Sequence, residues 1–477
     1  MIKLAKSLKD KTSCVVILFD DTEKKQLSVE LPADYVSLIQ AYKKAKKCSA
    51  DSITNIQLHP EPNSPKLVLI NLGKESDYQL KCLRKLVANA ARSLAKESTL
   101  QWCCINAIHG WENHVAQAIV MAEYVVPNSK SNQTPESYPK HIFISNQKKM
   151  VQEGYAIGLA VNKARTFANA PANILTTSSF VDEIKRLFKG DSRYKITILN
   201  EADMKKKKMM ALLGVGQGSK YPSYLVDVTY DGGGKDHVAL VGKGVMFDTG
   251  GISIKPSARM REMKGDMGGA AAVIASAWAA GELNVKRKVS FIVPIVENMV
   301  SKDAQRPGDV VIASNGTSIE ITNTDAEGRL ILADALVYAT KKKVNSIVDI
   351  ATLTGASVIA LGPYATAVLG NHQGVIEALI SAGCSLNEPL WALPLFDEYK
   401  DLLKSDVADI LNANEGREAG TITAAKFLEQ FVGDTPWAHL DIASTMSASS
   451  SKGERVKGMT GSGTRTLIAY ILNDKIK

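Results

Sequence analysis

The sequence predicts an α/β protein of two domains, and three observations carry that prediction. The chain has 477 residues, 45% of them hydrophobic and 22% charged, a globular balance with length enough for more than one core. Short runs rich in Val, Ile and Leu alternate with longer stretches of helical period, the pattern of strands joined by crossover helices. A polar stretch with three prolines, Pro127 to Pro139, separates a first α/β pattern from a second. The expected architecture is a smaller N-terminal α/β domain over 1–145, a linking helix over 146–170, and a larger C-terminal domain over 171–477. The last is expected to be an α/β/α sandwich with a mixed, largely parallel sheet.

Taken in order, Cys14–Phe19, Lys66–Asn71 and Tyr124–Val126 read as strands, and Tyr35–Lys47 and Leu80–Ala95 as helices. Asn146–Ala168 carries apolar residues at Val151, Tyr155, Ile157, Leu159 and Val161, so it reads as a helix, and Pro171 stops it. From Asn173 onward the strands Ile196–Leu199, Val238–Val241, Val289–Val296 and Ser346–Ala351 alternate with the helices Phe180–Phe188, Gly268–Ala280 and Gly328–Lys341. Strands so separated pair in parallel, with helices on both faces. Ligand chemistry in such folds collects at the loops leaving the strands. Lys205–Lys208 reads as a solvated helix face or loop, and Gly214-Val215-Gly216-Gln217-Gly218 as a loop with the wrong spacing for a nucleotide site.

Composition excludes several classes. Gly (34) and Pro (16) stand at ordinary levels, which rules out collagen-like and low-complexity chains. No run approaches the roughly 18 apolar residues of a membrane-spanning helix; Ala270–Ala280, broken by Ser276, is among the longest mostly apolar runs. The first residues carry Lys3, Lys6, Lys9 and Lys11 without an apolar stretch, unlike a secretory signal. Six cysteines with no CxxC pair predict reduced thiols in a cytoplasmic protein. The formal charge is +9, and it is uneven: residues 1–165 hold 23 basic and 15 acidic residues, the remainder 35 and 34. The clusters Lys43, Lys44, Lys46, Lys47 and Lys81, Arg84, Lys85 could meet a nucleic-acid backbone, or could be solvated helix faces, since few aromatic residues interleave with them.

The chemistry-bearing residues lie further on. GxSxG, HExxH and GxxxxGK[ST] patterns are absent, and Ser449-Ser450-Ser451-Lys452 fits SxxK as any serine-rich loop can. Between Ala239 and Leu336 there is no His and no Cys, yet Val241–Lys255, Asp266 and Asn323–Leu330 set charged residues among glycines. Lys243 ends an apolar strand, where a charge is unfavourable unless paired or ligated. Asp248, ahead of Gly250-Gly251, is expected in a tight turn with exposed amides. Asp325, Glu327 and Arg329 stand at every second position; an extended chain would put all three on one side, ahead of a helix. With Asp248 and Asp266, four carboxylates could converge, a hard-ligand set suited to two bridged divalent ions. Alternatively, Asp325 caps the helix and Glu327 meets its dipole. The single Asp248-Thr249-Gly250 triplet does not make an aspartic-protease dyad, which needs two.

The octapeptide Asn323 to Leu330 resembles the signature of the leucyl (cytosol) aminopeptidases, and Val241–Ala272 resembles that family's other metal-binding stretch. Asp349–Ala356, Trp437–Asp441 and Gly458–Gly461 extend the resemblance over roughly residues 160–470. It implies a dinuclear, Zn2+- or Mn2+-dependent exopeptidase acting through an activated water. Asp248 and Glu327 would bridge both ions, Asp325 would complete one, and Asp266 with a neutral Lys243 the other. Lys255 would polarise the scissile carbonyl, and Arg329 would hold a bicarbonate ion acting as general base. Met263, Thr352, Gly355 and Met459 would line the pocket for a Leu- or Met-like N-terminal side chain, with core packing the competing role for the methionines. His439 and Asp441 match no catalytic role and read as structural. The resemblance also implies a homohexamer, and some bacterial members of the family bind DNA. Thr249 stands where the family usually has Ser, and Met246 is less polar than the usual residue.

Overall fold

The computed structural model describes residues 2–8, 12–19, 33–44, 50–57, 65–74, 79–105, 108, 110–127, 129–131 and 138–473. It divides into two compact units, Met1–Asn162 with Ser450–Val456, and Lys163–Ser449 with Lys457–Lys477.

The first unit is built on six strands: β1 (Ile2–Ala5), β2 (Ser13–Leu18), β3 (Ser52–Gln57), β4 (Lys66–Asn71), β5 (Thr99–Cys104) and β6 (Lys140–Ile144). Their order is β1-β6-β5-β2-β4-β3, parallel except for the edge pair β3–β4. β2 is apolar from Cys14 to Leu18 because both of its faces are covered. Val15 and Ile17 pack with Leu83, Leu86 and Val87 of the helix Leu80–Ser93, whereas Val16 and Leu18 pack with Tyr35 and Ile39 of the helix Ala33–Lys44. Tyr124–Val126, expected as a strand, has no regular structure. Lys46 and Lys47 lie outside the described residues, as does most of the polar stretch before Pro139. Lys81 and Lys85 are exposed, but Arg84 is fully buried, so that cluster is not a continuous basic face.

The second unit is built on β7 (Tyr194–Leu199), β8 (Tyr224–Asp231), β9 (His237–Gly242), β10 (Gly244–Asp248), β11 (Lys288–Asn298), β12 (Val310–Ile312), β13 (Ser318–Glu320), β14 (Ser346–Ala351), β15 (Thr366–Gly370), β16 (Leu390–Ala392), β17 (Ile410–Leu411) and β18 (Trp437–Asp441). The main sheet runs β16-β15-β18-β14-β9-β11-β8-β7, with β10 also on β11. Its centre, β18-β14-β9-β11, is parallel, and the β11–β8 and β8–β7 pairs are antiparallel. One helix group joins Gly268–Glu282, Gln373–Ser385 and Thr464–Leu472; a second joins Met210–Gly216, Glu327–Thr340 and Gly420–Glu429. Both groups pack on the sheet, which gives the α/β/α sandwich. Gly214–Gly218, expected as a loop, lies mostly within the helix Met210–Gly216. Lys205–Lys208 are exposed at the end of the helix Glu201–Lys206.

β11 contains Pro294, which is unusual in a central strand. It falls between Ile292, the last residue paired with β9, and Ile295, the first paired with β10. Its missing N–H therefore lies where β11 passes from one parallel neighbour to the next. Lys243, the residue between β9 and β10, sits at that same break, on the carboxyl edge of the sheet.

Candidate metal centre

Each charged residue singled out in the sequence leaves or follows an element at the carboxyl edge. Lys243 follows β9, Asp248 ends β10, Asp266 ends the 3-10 turn Met260–Gly265, and Glu327 opens the helix Glu327–Thr340. The chain at Asp325–Arg329 is not extended: Glu327 and Arg329 are already helical, and Asp325 is in the turn before them. The N-cap of that helix is Ala326, without a side-chain cap, so Asp325 caps nothing. Its carboxylate turns instead toward Asp248 and Glu327. The three residues each offer one oxygen, all within 4.8 Å of one another.

Two lysines thread this group. Lys243 Nζ lies 2.8 Å from Asp266 Oδ2 and 2.8 Å from Glu327 Oε1, and donates to Thr352 O at 3.0 Å. Lys255 Nζ lies 2.8 Å from Asp248 Oδ2 and also pairs with Asp325. Asp248 Oδ1 accepts from Gly250 N at 2.9 Å and from Asn298 Nδ2 at 2.8 Å. Gly250 has φ +86°, a left-handed conformation that glycine adopts without strain. Thr352 Oγ1 donates to Asp266 Oδ1 at 2.7 Å. Gly328 is there for space: a Cβ on it would stand 2.6 Å from Lys243 Cε.

Four carboxylates against two ammonium groups leave two negative charges unbalanced. The electrostatics follow. Burial and the neighbouring acids lift Asp248 and Asp266 above the usual carboxylate range, and Asp325 is pushed up to about 7 by burial, Asp248 and Glu327. Glu327 alone falls below its ordinary value: burial opposes its ionisation, but Lys243 and Lys255 outweigh it. Burial would neutralise both lysines, yet the acids around each hold them protonated. Asp266 Oδ2, Asp325 Oδ1 and Glu327 Oε1 stand at ion-pair distance from a lysine but receive no hydrogen bond of proper geometry. Buried oxygens left so, in a set with excess negative charge and no imidazole or thiolate, fit divalent cations.

Arg329 is buried, donates through Nη1 to Asn412 O at 2.9 Å and leaves Nε without a hydrogen-bond partner; burial brings it down to about 10. Of the expected pocket residues, Met459 lines a small cavity, about one water in size, with Ala164, Ala168, Gly265, Met446 and Ser462. Met263, in the 3-10 turn, Thr352, bonded to Asp266, and Gly355, opening the helix Gly355–Leu361, are not part of that cavity. Asp441 is satisfied by Leu353 N, Ala443 N and Thr354 Oγ1. His439 is held by Asp349 at 2.6 Å through Nδ1, while its buried Nε2 has no hydrogen-bond partner. Sequence reading missed Asn298, which ends the apolar β11 and holds Asp248, as well as Asn412 beneath Arg329 and Met446 in the cavity. A lone amide at the end of a long buried strand was the available signal for Asn298.

Fold and site together define a metal-dependent hydrolase with an α/β/α core. The catalytic-domain model of the cytosol aminopeptidase family matches residues 162–468, and the N-terminal-domain model of the same family matches 15–133. A probable cytosol aminopeptidase of Thioalkalivibrio sulfidiphilus is 36% identical, with 99% of each chain covered. One from Acidovorax sp. is 48% identical over 67% of this chain and 63% of its own. Among solved structures, the bottromycin maturation enzyme BotP in complex with Mn superposes with a TM-score of 0.84 at 31% identity, covering 96% of this chain and 98% of its own. The chain belongs to the cytosol aminopeptidase family, a family of metal-dependent exopeptidases.

Proposed function

We propose that this protein removes N-terminal residues from peptides, preferring Leu- and Met-like side chains, with two divalent ions, Zn2+ or Mn2+, at the carboxylate cluster. The observation that carries this reading is the convergence of Asp248, Asp325 and Glu327 within 4.8 Å, with Asp266 joined to Glu327 through Lys243. The manganese in the BotP complex supports that ion as one candidate. In this reading Asp248, Asp266, Asp325 and Glu327, together with Lys243, would hold the ions.

When bound, the ions supply Lewis acidity and a positive anchor for the peptide's free amine. The protein's own groups do the rest. Lys255, less buried than Lys243, donates toward the scissile carbonyl oxygen and stabilises the oxyanion. Arg329, its guanidinium fixed on Asn412 O, holds the bicarbonate implied by the family. Met263, Thr352, Gly355 and Met459 are the proposed contacts of the N-terminal side chain. The domain limits carried with this reading are 1–145, 146–170 and 171–477.

We further propose a cytoplasmic homohexamer. Ile359, Tyr364, Trp391, Phe396 and Val407, 62% to 90% exposed, are the apolar residues such an assembly would cover. No helix among the described residues is long and apolar enough to cross a membrane. Arg84 is buried, so the cluster proposed for nucleic-acid binding offers Lys81 and Lys85 only.

The test is chelation. Hydrolysis of Leu-amide should vanish with a chelator and return with Mn2+ or Zn2+, and reloaded protein should hold about two ions per chain. Activity that survives thorough chelation, or that persists in Asp325→Ala with Glu327→Ala, rejects the proposal.

A further inference from the structure

Within the second unit, the carboxylates of the site come from turns that are far apart in sequence. Asp248 and Lys255 bound the turn after β10, and Asp325 lies in the turn before the helix Glu327–Thr340. The ion pair of Lys255 with Asp325 joins these two turns by charge. A second set of contacts joins them without any charge, and it is buried.

Asn298, 4% exposed at the end of β11, and Thr324, 3% exposed, carry these contacts. Asn298 Nδ2 donates to Asp248 Oδ1 at 2.8 Å and to Thr324 O at 3.1 Å, so one amide touches both turns. Its backbone carbonyl accepts from Thr249 N at 3.0 Å and from Thr249 Oγ1 at 2.9 Å. Thr324 Oγ1 donates to Gly250 O at 2.7 Å and accepts from Ser253 N at 2.8 Å. Thr324 N donates in turn to Ser253 Oγ at 3.1 Å. The packing leaves no slack: a Cβ on Gly251 would stand 2.9 Å from Thr324 Oγ1 and 3.0 Å from Asn298 Oδ1.

Two consequences follow from the chemistry of these groups. Asp248 Oδ1 is occupied by two donors, Asn298 Nδ2 and Gly250 N, which leaves Oδ2 as the oxygen it can offer to a cation. Like-charged carboxylates also repel one another, and something must hold their turns together. Lys255 does so only by occupying Asp248 Oδ2 itself, in competition with a cation. The amide and the hydroxyl do so while leaving that oxygen free. We infer that Asn298 and Thr324 are positioning residues of the metal centre, an uncharged clasp that keeps Asp248 and Asp325 at cation-binding spacing. The inference rests on the proposed reading of these carboxylates as ligands. Groups that orient metal ligands typically change metal affinity by roughly 10-fold to 100-fold when removed.

The experiment uses the full-length protein, stripped of metal with a chelator and titrated with Mn2+ in a calorimeter. Thr324→Val keeps the shape of the side chain without its hydroxyl, and its Mn2+ affinity is expected to fall about tenfold or more. Thr324→Ser restores the hydroxyl and is expected to stay within about threefold of wild type. Thr366→Val removes a different buried hydroxyl, one bonded to Thr445 Oγ1 at 3.0 Å on β15, and should bind Mn2+ as wild type does. A loss that Thr324→Ser or Thr366→Val shares would reflect general loosening of the fold and overturns the inference. Unchanged affinity in folded Thr324→Val overturns it as well. Should Thr324→Val fail to fold by circular dichroism, Asn298→Ala decides by the same titration, with about a tenfold fall expected and no change overturning it. Wild-type protein that binds no Mn2+ removes the ligand reading and this inference together. Wild-type binding that persists undiminished in Thr324→Val removes the inference alone.

Discussion

At the residue scale, the site depends on how near Gly328 lets Lys243 come. An added Cβ would lie 2.6 Å from Lys243 Cε and 2.8 Å from its Nζ, and the backbone there opens a helix that cannot retreat. Gly328→Ala is expected to fold but to lose an ion and roughly 100-fold in kcat/KM, since displacement of about 1 Å in a reacting constellation has that effect. Elemental analysis and Leu-amide hydrolysis check it; full metal content with full activity would show that Lys243 has room to spare. Lys243→Arg is expected to bind one ion fewer by the same elemental analysis, because a guanidinium does not lose the proton that a ligating nitrogen must lose. Two bound ions in that variant would remove Lys243 from the proposed ligand set. Much of this site was legible from residue types alone: Asp248, Asp266, Asp325 and Glu327 stand in a stretch without His or Cys. Their geometry was less legible. The two-residue spacing of Asp325 and Glu327 suggested an extended chain, but the helix begins at Glu327, and convergence comes from a turn.

At the element scale, the helix Glu327–Thr340 is anchored by Asp334, which is fully buried. Its Oδ2 accepts from Leu212 N at 2.9 Å and its Oδ1 from Ser314 N at 2.7 Å. The helix Met210–Gly216 has no side-chain cap of its own, so a residue more than a hundred positions away satisfies its first turn. That is why the glycines at 214–218 suggested a loop: the cap that permits the helix is tertiary. Asp334→Ala leaves two buried amides unpaired and should destabilise the fold by about 2–4 kcal/mol in chemical denaturation; a loss below about 0.5 kcal/mol would show that the amides find other partners. The pH dependence has a definite sign. Burial lifts Asp334 to about 6 from an ordinary 3.8, so the folded state binds the proton more tightly than the unfolded. This contribution is therefore present below about pH 4 and declines as the pH rises to about 6, by at most about 3 kcal/mol. The decline should be missing from Asp334→Ala, and an identical pH profile in both proteins would contradict it.

At the scale of the whole molecule, the fold class was legible because the central strands are covered on both faces and read as apolar runs, as in Cys14–Leu18 of β2 and Val238–Val241 of β9. Two strands of the first unit were not: β1, at the sheet edge, and β5, inside it, mix Lys, Gln or Cys into short segments that only their neighbours make into strands. The proposed hexamer brings its own expectation. Ile359 and Trp391 are 90% and 66% exposed, and Ile359→Asp with Trp391→Glu should yield a smaller species by light scattering. An unchanged mass would place the contacts elsewhere.

The two-piece make-up of the first unit has a consequence for how relatives of this protein can be recombined. A unit made of one continuous stretch can be exchanged between homologues at a single junction. Here the first unit comprises Met1–Asn162 and Ser450–Val456, and Arg84 of the helix Leu80–Ser93 donates to Glu454 Oε1 at 2.6 Å, so a chimaera that replaces only the N-terminal stretch would set a foreign helix against a native 450–456 segment. A successful graft must carry both pieces, and substitutions on the helix Leu80–Ser93 should be inherited together with those at 450–456.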